Sequence, residues 1–146
     1  MAGVRQMNIE VTIDAQYEPT EGEKFMCARQ KDFFRQKLMS WKEGILSESR
    51  GTLVQMQEET QNVADLADRA SVETDRALEL RTRDRQRKLI AKIDAALRRI
   101  DEGTYGYCEE TSEPISLKRL SARPIATLSL EAQEKHERRE KVHRDM

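Results

Sequence analysis

Residues 34–56, FRQKLMSWKEGILSESRGTLVQM, and residues 82–100, TRDRQRKLIAKIDAALRRI, decide the fold. In the first stretch Phe34, Leu38, Trp41, Ile45, Ser49, Thr52 and Met56 recur at steps of four and three. That spacing is the signature of a coiled-coil seam, here weakened at Ser49. In the second stretch Thr82, Gln86, Leu89, Ile93, Ala96 and Ile100 repeat the pattern, apolar in its last turns. Each stripe is too narrow to be stable alone, so the two halves are expected to pack on one another as an antiparallel hairpin.

Working outward, no proline occurs from Glu23 to Asp101, and the only glycines there are Gly44 and Gly51. Such a stretch reads as helix throughout. Each glycine costs a helix interior about 1 kcal/mol relative to alanine, which suits a first helix able to bend. Both seams break at Asn62-Val63-Ala64-Asp65-Leu66-Ala67-Asp68, so the turn is expected near 62–70. Helices of roughly 30 residues would carry that tip roughly 45 Å from the rest of the chain.

Residues 1–28 are expected to form an arm packing on the globular part, with an alternating piece at Met7–Ile13 able to extend as a strand. The coiled coil is expected over 29–101. Residues 102–130 hold Gly103, Gly106, Pro114 and Pro124 among Tyr105, Tyr107, Ile115, Leu117 and Leu120, and read as a compact knob of turns and short strands. Ser129 has the chemistry of a helix N-cap. Residues 131–146 alternate charges at four-residue spacing and should form an exposed helix. The fold class is therefore mainly α.

Hydrophobic residues are 37% of the 146 and charged residues 36%, with a formal net charge of -1. That balance argues against bulk electrostatic attachment to nucleic acid or to anionic membrane. The charge is segregated, however. Residues 57–79 carry a net -5 and residues 81–100 a net +6, which favours a partner with a charge pattern of its own. No apolar run reaches the length of a membrane span and the N-terminus lacks a signal-peptide core, so a cytoplasmic, monomeric protein is expected. Cys27 and Cys108 are too few for a disulfide framework and read as small buried hydrophobes. Neither a nucleophile with its base nor a phosphate-cradling glycine loop is present, and no enzymatic activity is expected.

The knob sequence GTYGYCEETSEPISLKRLSARPIATLSLEA, the tip Asp65-Leu66-Ala67-Asp68-Arg69-Ala70 and the run Leu78-Glu79-Leu80-Arg81-Thr82-Arg83-Asp84-Arg85 together resemble the DksA family of RNA polymerase-binding regulators. The resemblance runs from about Glu23 to the C-terminus. It implies a factor that enters the polymerase secondary channel and destabilises promoter complexes. Such factors work with guanosine tetraphosphate in the stringent response, negatively at ribosomal RNA promoters and positively at some amino-acid biosynthesis promoters.

From spacing alone, Asp65 and Asp68 are helix-start residues that cap or complement the dipole. The resemblance instead makes Asp65, Asp68 and Ala70 the determinants that act at the polymerase active centre. Residues 81–92 are by themselves a solvated basic face, and the resemblance places in them an effector interface of Arg85, Leu89 and Lys92. Gln133 departs from the family pattern, which has a basic residue there. The pattern also has four cysteines in two C-x2-C pairs, where this chain has Cys108, Thr111, Ser129 and Ala132. One thiolate cannot hold a tetrahedral zinc ion, and His136 and His143 lie off in the charged tail. The chain therefore resembles the cysteine-poor, zinc-independent members, with a degenerate zinc-finger-like knob, no bound metal, and Ala132 with the ring of Tyr105 or Tyr107 filling the ion's space. Two other classes stand beside this reading. A transcript-cleavage factor would use a carboxylate tip to place a second metal ion, and a DNA-binding regulator would use the basic helix.

Overall fold

The computed structural model describes residues 16–61 and 66–145, leaving aside the side chains of Thr52, 56–61 and 66–68. Its helices are α1 (Ala28–Gln61), α2 (Leu66–Glu102), α3 (Leu117–Ala122) and α4 (Leu130–Arg144). The chain divides into two compact units. One comprises the residues up to Gln36 together with those from Gly106 on, and the other is Lys37–Tyr105.

In the Lys37–Tyr105 unit, α1 and α2 run antiparallel. Lys42 Nζ meets the Asp94 carboxylate at 2.6 Å, and Arg83 Nη2 donates to the Ser49 carbonyl at 3.4 Å. The midpoints of these two pairs fall at positions 68 and 66, where the sequence places the turn. Leu38, Ile45, Ile93, Ala96, Ile100 and Tyr105 are buried and form the packed end of the hairpin. A half-exposed ion pair of this kind adds about 1 kcal/mol, so the apolar seam supplies most of the stability and the pair fixes the register.

The seam is shorter than its spacing suggests. Thr82 is exposed, and its hydroxyl turns back to donate to the Leu78 carbonyl at 3.1 Å. A threonine satisfied by its own helix has no need of the partner helix. Gln86 and Leu89 are half-buried, and full burial begins at Ile93.

The other unit is held by the start of α1 and by the knob. Gln30, fully buried, accepts the Met26 N–H at 2.9 Å and donates to the Thr20 carbonyl at 3.2 Å, folding residues 20–26 over the helix start. The reach-back resembles that of a capping box, with glutamine at the third helical position, but it ends on Met26, one residue before the cap Cys27, whose carbonyl accepts the Lys31 N–H at 3.0 Å. Glu23 accepts from the Tyr17 hydroxyl at 2.8 Å and from the Thr20 hydroxyl at 3.2 Å, and Arg29 lies 4.1 Å from the centre of the Tyr17 ring.

Gly106, at φ +88, receives this loop. A Cβ there would meet Phe25 Cζ and Met26 Cε, each at 3.1 Å, and Phe25 also sets its ring edge-on to Tyr107. Tyr107 is therefore committed to Phe25 and 38% exposed, which removes it as the filler of a degenerate metal site. The expected short strands reduce, among the described residues, to a single bridge between Tyr107 and Pro114. Pro114 has no N–H to extend the ladder. The alternating piece at 7–13 lies outside the described residues.

Candidate functional site

Three places bear on function, and each is built by a different element. At the hairpin tip, Asp65 lies outside the described residues. Asp68 stands in α2 two residues past its first residue, and Ala70 is exposed, its carbonyl accepting from the Thr74 hydroxyl at 3.1 Å. A carboxylate in the first turn of a helix is favoured by the positive end of the dipole, so the capping role and a role toward a partner are both compatible with that position.

On α2, Arg85, Leu89 and Lys92 are spaced four and three apart and share one helix face. Arg85 and Lys92 are exposed and Leu89 is half-buried. Asp84 is the nearby acid, and it is already engaged: Arg87 lies at 2.7 Å and Lys88 at 3.2 Å, which together hold its carboxyl below the usual carboxylate range. Among the described residues no carboxylate pairs with Arg85 or Lys92. Their positive charge is left uncommitted, as an anionic ligand requires.

The third place is the knob turn around Cys108, which is buried, whereas Cys27 is only half-buried. The Cys108 N–H donates to the Glu113 carbonyl at 2.8 Å, and the Ser112 N–H donates to the Cys108 carbonyl at 2.8 Å, with Ser112 in the left-handed region at φ +60. Burial alone would push the thiol up. Hydrogen bonds from the Thr111 side chain and from the backbone of Ser129, Thr111 and Glu110 outweigh it and hold the thiol down at about 6. Cys108 is thus buried, as expected, but it sits in a ring of donors that favour its thiolate over its thiol.

Thr111 and Ser129 do converge on Cys108, and Ala132 is bonded to Ser129, each with another task. The Thr111 hydroxyl accepts from the Glu113 N–H at 3.4 Å, Ser129 caps α4 by accepting the Ala132 N–H at 3.2 Å, and the Ala132 side chain is buried. His136 pairs along α4 with Glu140 at 3.3 Å. Among the described residues no three His, Cys, Asp or Glu side chains are grouped as a metal ion would need.

One feature escaped the sequence reading. Leu46, Leu53 and Val54 of α1 and Leu78 and Leu80 of α2 are each at least 40% exposed. The cross-hairpin register puts Leu53 and Val54 level with Leu78 and Leu80, toward the turn. Leu78 and Leu80 are two residues apart, about 200° around the helix, so apolar side chains stand on opposite flanks. The available signal was apolar residues that fit no seam position.

Comparison with known proteins bears on all three places. A family profile described as "DnaK suppressor protein DksA, N-terminal domain" matches residues 30–100, and one described as "Prokaryotic dksA/traR C4-type zinc finger" matches 103–138. A Caulobacter vibrioides protein named RNA polymerase-binding transcription factor DksA is 70% identical over 129 residues, spanning 88% of this chain and 91% of the relative. The protein of the same name from Escherichia coli K12 is 40% identical over 125 residues, spanning 86% and 83%. Among solved structures, transcription factor DksA2 from Pseudomonas aeruginosa superposes with a TM-score of 0.75 at 42% identity, covering 80% of this chain and 90% of that one. The second profile describes a four-cysteine zinc site. The donors here do not fit such a site, since one cysteine stands beside a threonine, a capping serine and an alanine.

Proposed function

The chain belongs to the DksA family, and on that premise we propose that it is an RNA polymerase-binding regulator of transcription initiation whose hairpin enters the enzyme's secondary channel. The observation that carries the channel reading is the exposed apolar set near the turn. A flat docking surface needs apolar groups on one side of the hairpin, whereas Leu53, Val54, Leu78 and Leu80 stand on more than one side. Side chains exposed around a two-helix rod are covered together only by a partner that encloses it.

Within that frame, Asp65, Asp68 and Ala70 reach the active centre, where Asp68 acts through its charge and Ala70 permits close approach. Arg85, Leu89 and Lys92 form the interface for guanosine tetraphosphate, the two cations balancing its pyrophosphates and Leu89 packing beside them. The uncommitted charge of Arg85 and Lys92 supports this. The outcome is a shorter-lived complex at ribosomal RNA promoters and activation at some amino-acid biosynthesis promoters. The protein acts as a cytoplasmic monomer, without catalysis of its own and without specific contacts to DNA. Its knob works without zinc, and the bonds made to Cys108 and by Ser129 support that part of the reading.

The test is Asp68→Asn in an assay of promoter-complex lifetime on a ribosomal RNA promoter. Asparagine keeps the size and caps a helix as well as aspartate, but lacks the charge. The variant is expected to bind polymerase within a few fold of the parent and to leave the lifetime unchanged. Full activity of Asp68→Asn would overturn the active-centre role, and cleavage of the transcript in stalled complexes would replace it with the cleavage-factor reading.

A further inference from the structure

We propose that Gly44–Gly51 of α1 is a hinge in one strut of the hairpin, and that Arg83 of α2 is the positioning residue that sets its angle. The two struts differ. α2 has no glycine or proline in 37 residues, while α1 has two glycines in 34. Neither glycine meets a need of the folded chain. Among the described glycines positive φ is confined to Gly103 and Gly106, and a Cβ at Gly44 or Gly51 would meet nothing within 4 Å. Alanine would fit both places and would favour the helix.

Seven residues apart, the two glycines lie within about 20° of one another on the exposed face of α1. Over two turns that outer face therefore carries side chains only between the glycines, at Ser47 and Glu48, and none at either end. The inner face weakens within the same turns, because the seam passes there from the buried Ile45 to the half-buried Ser49. Into this gap Arg83 extends its guanidinium and donates to the Ser49 carbonyl at 3.4 Å. A side chain that bonds a carbonyl within a helix is one of the known causes of bending. Up to Ile45, one residue into the segment, the hairpin is firm, with Leu38, Ile45, Ile93 and Ala96 buried and Lys42 paired to Asp94. Weakness on both faces thus begins where the packed seam ends, and α1 can flex there while α2 stays straight. The functional part of the inference rests on the polymerase reading: the hinge lets the tip meet the active centre at an angle that Arg83 biases.

The test has two arms on the full chain. In the first, hydrogen exchange is measured on the free protein. Amides of Ser49–Val54 are expected to be at least roughly ten-fold less protected than those of Thr82–Leu89. Gly44→Ala with Gly51→Ala should slow the first set by roughly 25-fold, about five-fold per glycine, and Arg83→Leu should speed it. Equal protection of the two struts in the parent, or no slowing in the double variant, would overturn the hinge. In the second arm the double variant is expected to keep its polymerase affinity and to lose at least half of its effect on promoter-complex lifetime. An undiminished effect would overturn the positioning role. If the parent itself leaves the lifetime unchanged, the polymerase reading fails, and the exchange data decide the hinge by themselves.

Discussion

Replacing Leu80 with glutamine separates an apolar group kept for a partner from one kept for the fold. Leu80 is 58% exposed in the free chain. Complete burial of a leucine side chain stabilises by about 1.5–3 kcal/mol, so its exposed share can contribute about 0.9–1.7 kcal/mol when polymerase covers it. Glutamine matches leucine in helix propensity and is solvated when free, so the stability of Leu80→Gln should stay within about 0.5 kcal/mol of the parent. Its affinity for core RNA polymerase should fall by about 4- to 20-fold. Binding would be measured by titration of labelled protein with core enzyme, and stability by thermal melting followed by circular dichroism. Ile93→Ala is the contrast. Ile93 is fully buried, and its truncation should destabilise by about 2–5 kcal/mol. A clear fall in melting temperature for Leu80→Gln, with polymerase affinity unchanged, would refute the reasoning, because it would mean that Leu80 is covered by its own chain.

Arg85→Ala or Lys92→Ala should weaken the response to guanosine tetraphosphate more than it weakens polymerase binding, and equal loss of both in paired titrations would reduce these residues to docking contacts. Protein purified without added metal should contain well under one zinc per chain by elemental analysis and should melt at the same temperature with or without chelator; stoichiometric zinc would contradict the assignment of Thr111, Ser129 and Ala132. The Cys108 thiol lies at about 6 in the folded chain against an ordinary 9.0, so its contribution is absent below about pH 6, grows as pH rises, and is complete above about pH 9. The difference in melting temperature between the parent and Cys108→Ala should widen from pH 6 to pH 8.5, and a constant difference would show that the sulfur is not ionised. Gly106→Ala should lower the melting temperature more than Gly103→Ala, because both positions have positive φ but only at Gly106 does a Cβ meet side chains, at 3.1 Å.

The hairpin was legible in sequence because its two signals are redundant. A long proline-free run and a repeating four-three spacing both demand paired helices, and the fixed chain length then locates the turn. Ser129 was legible as a cap for the same reason, since one residue type at one boundary suffices. Thr82 was not, because periodicity reports spacing and not whether a polar group is already satisfied by its own helix. The clasp of Gln30 on Thr20 and Met26 was invisible too. Glutamine is usually a surface residue, and only the folded loop shows that its two ends meet one acceptor and one donor. At Cys108 the sequence revealed what was missing from a four-cysteine site, but not that backbone and hydroxyl donors would converge on the remaining sulfur. Those donors are contributed by residues about twenty positions apart, and such convergence carries no periodic trace.

The unit built from residues up to Gln36 and from Gly106 on is discontinuous, interrupted by the 69 residues Lys37–Tyr105. On the ribosome its first half emerges well before its second. At typical elongation rates the intervening segment takes roughly 3 to 14 s to synthesise. During that interval the Gln30 clasp can close, since it spans only ten residues, and the hairpin can zip from its local contacts within far shorter times. Phe25 and Met26, in contrast, must wait for Gly106 to be made before they have a place to pack. The order of assembly is therefore dictated by chain connectivity: clasp and hairpin first, knob last. A chain released too early would carry a complete hairpin and an unfinished knob.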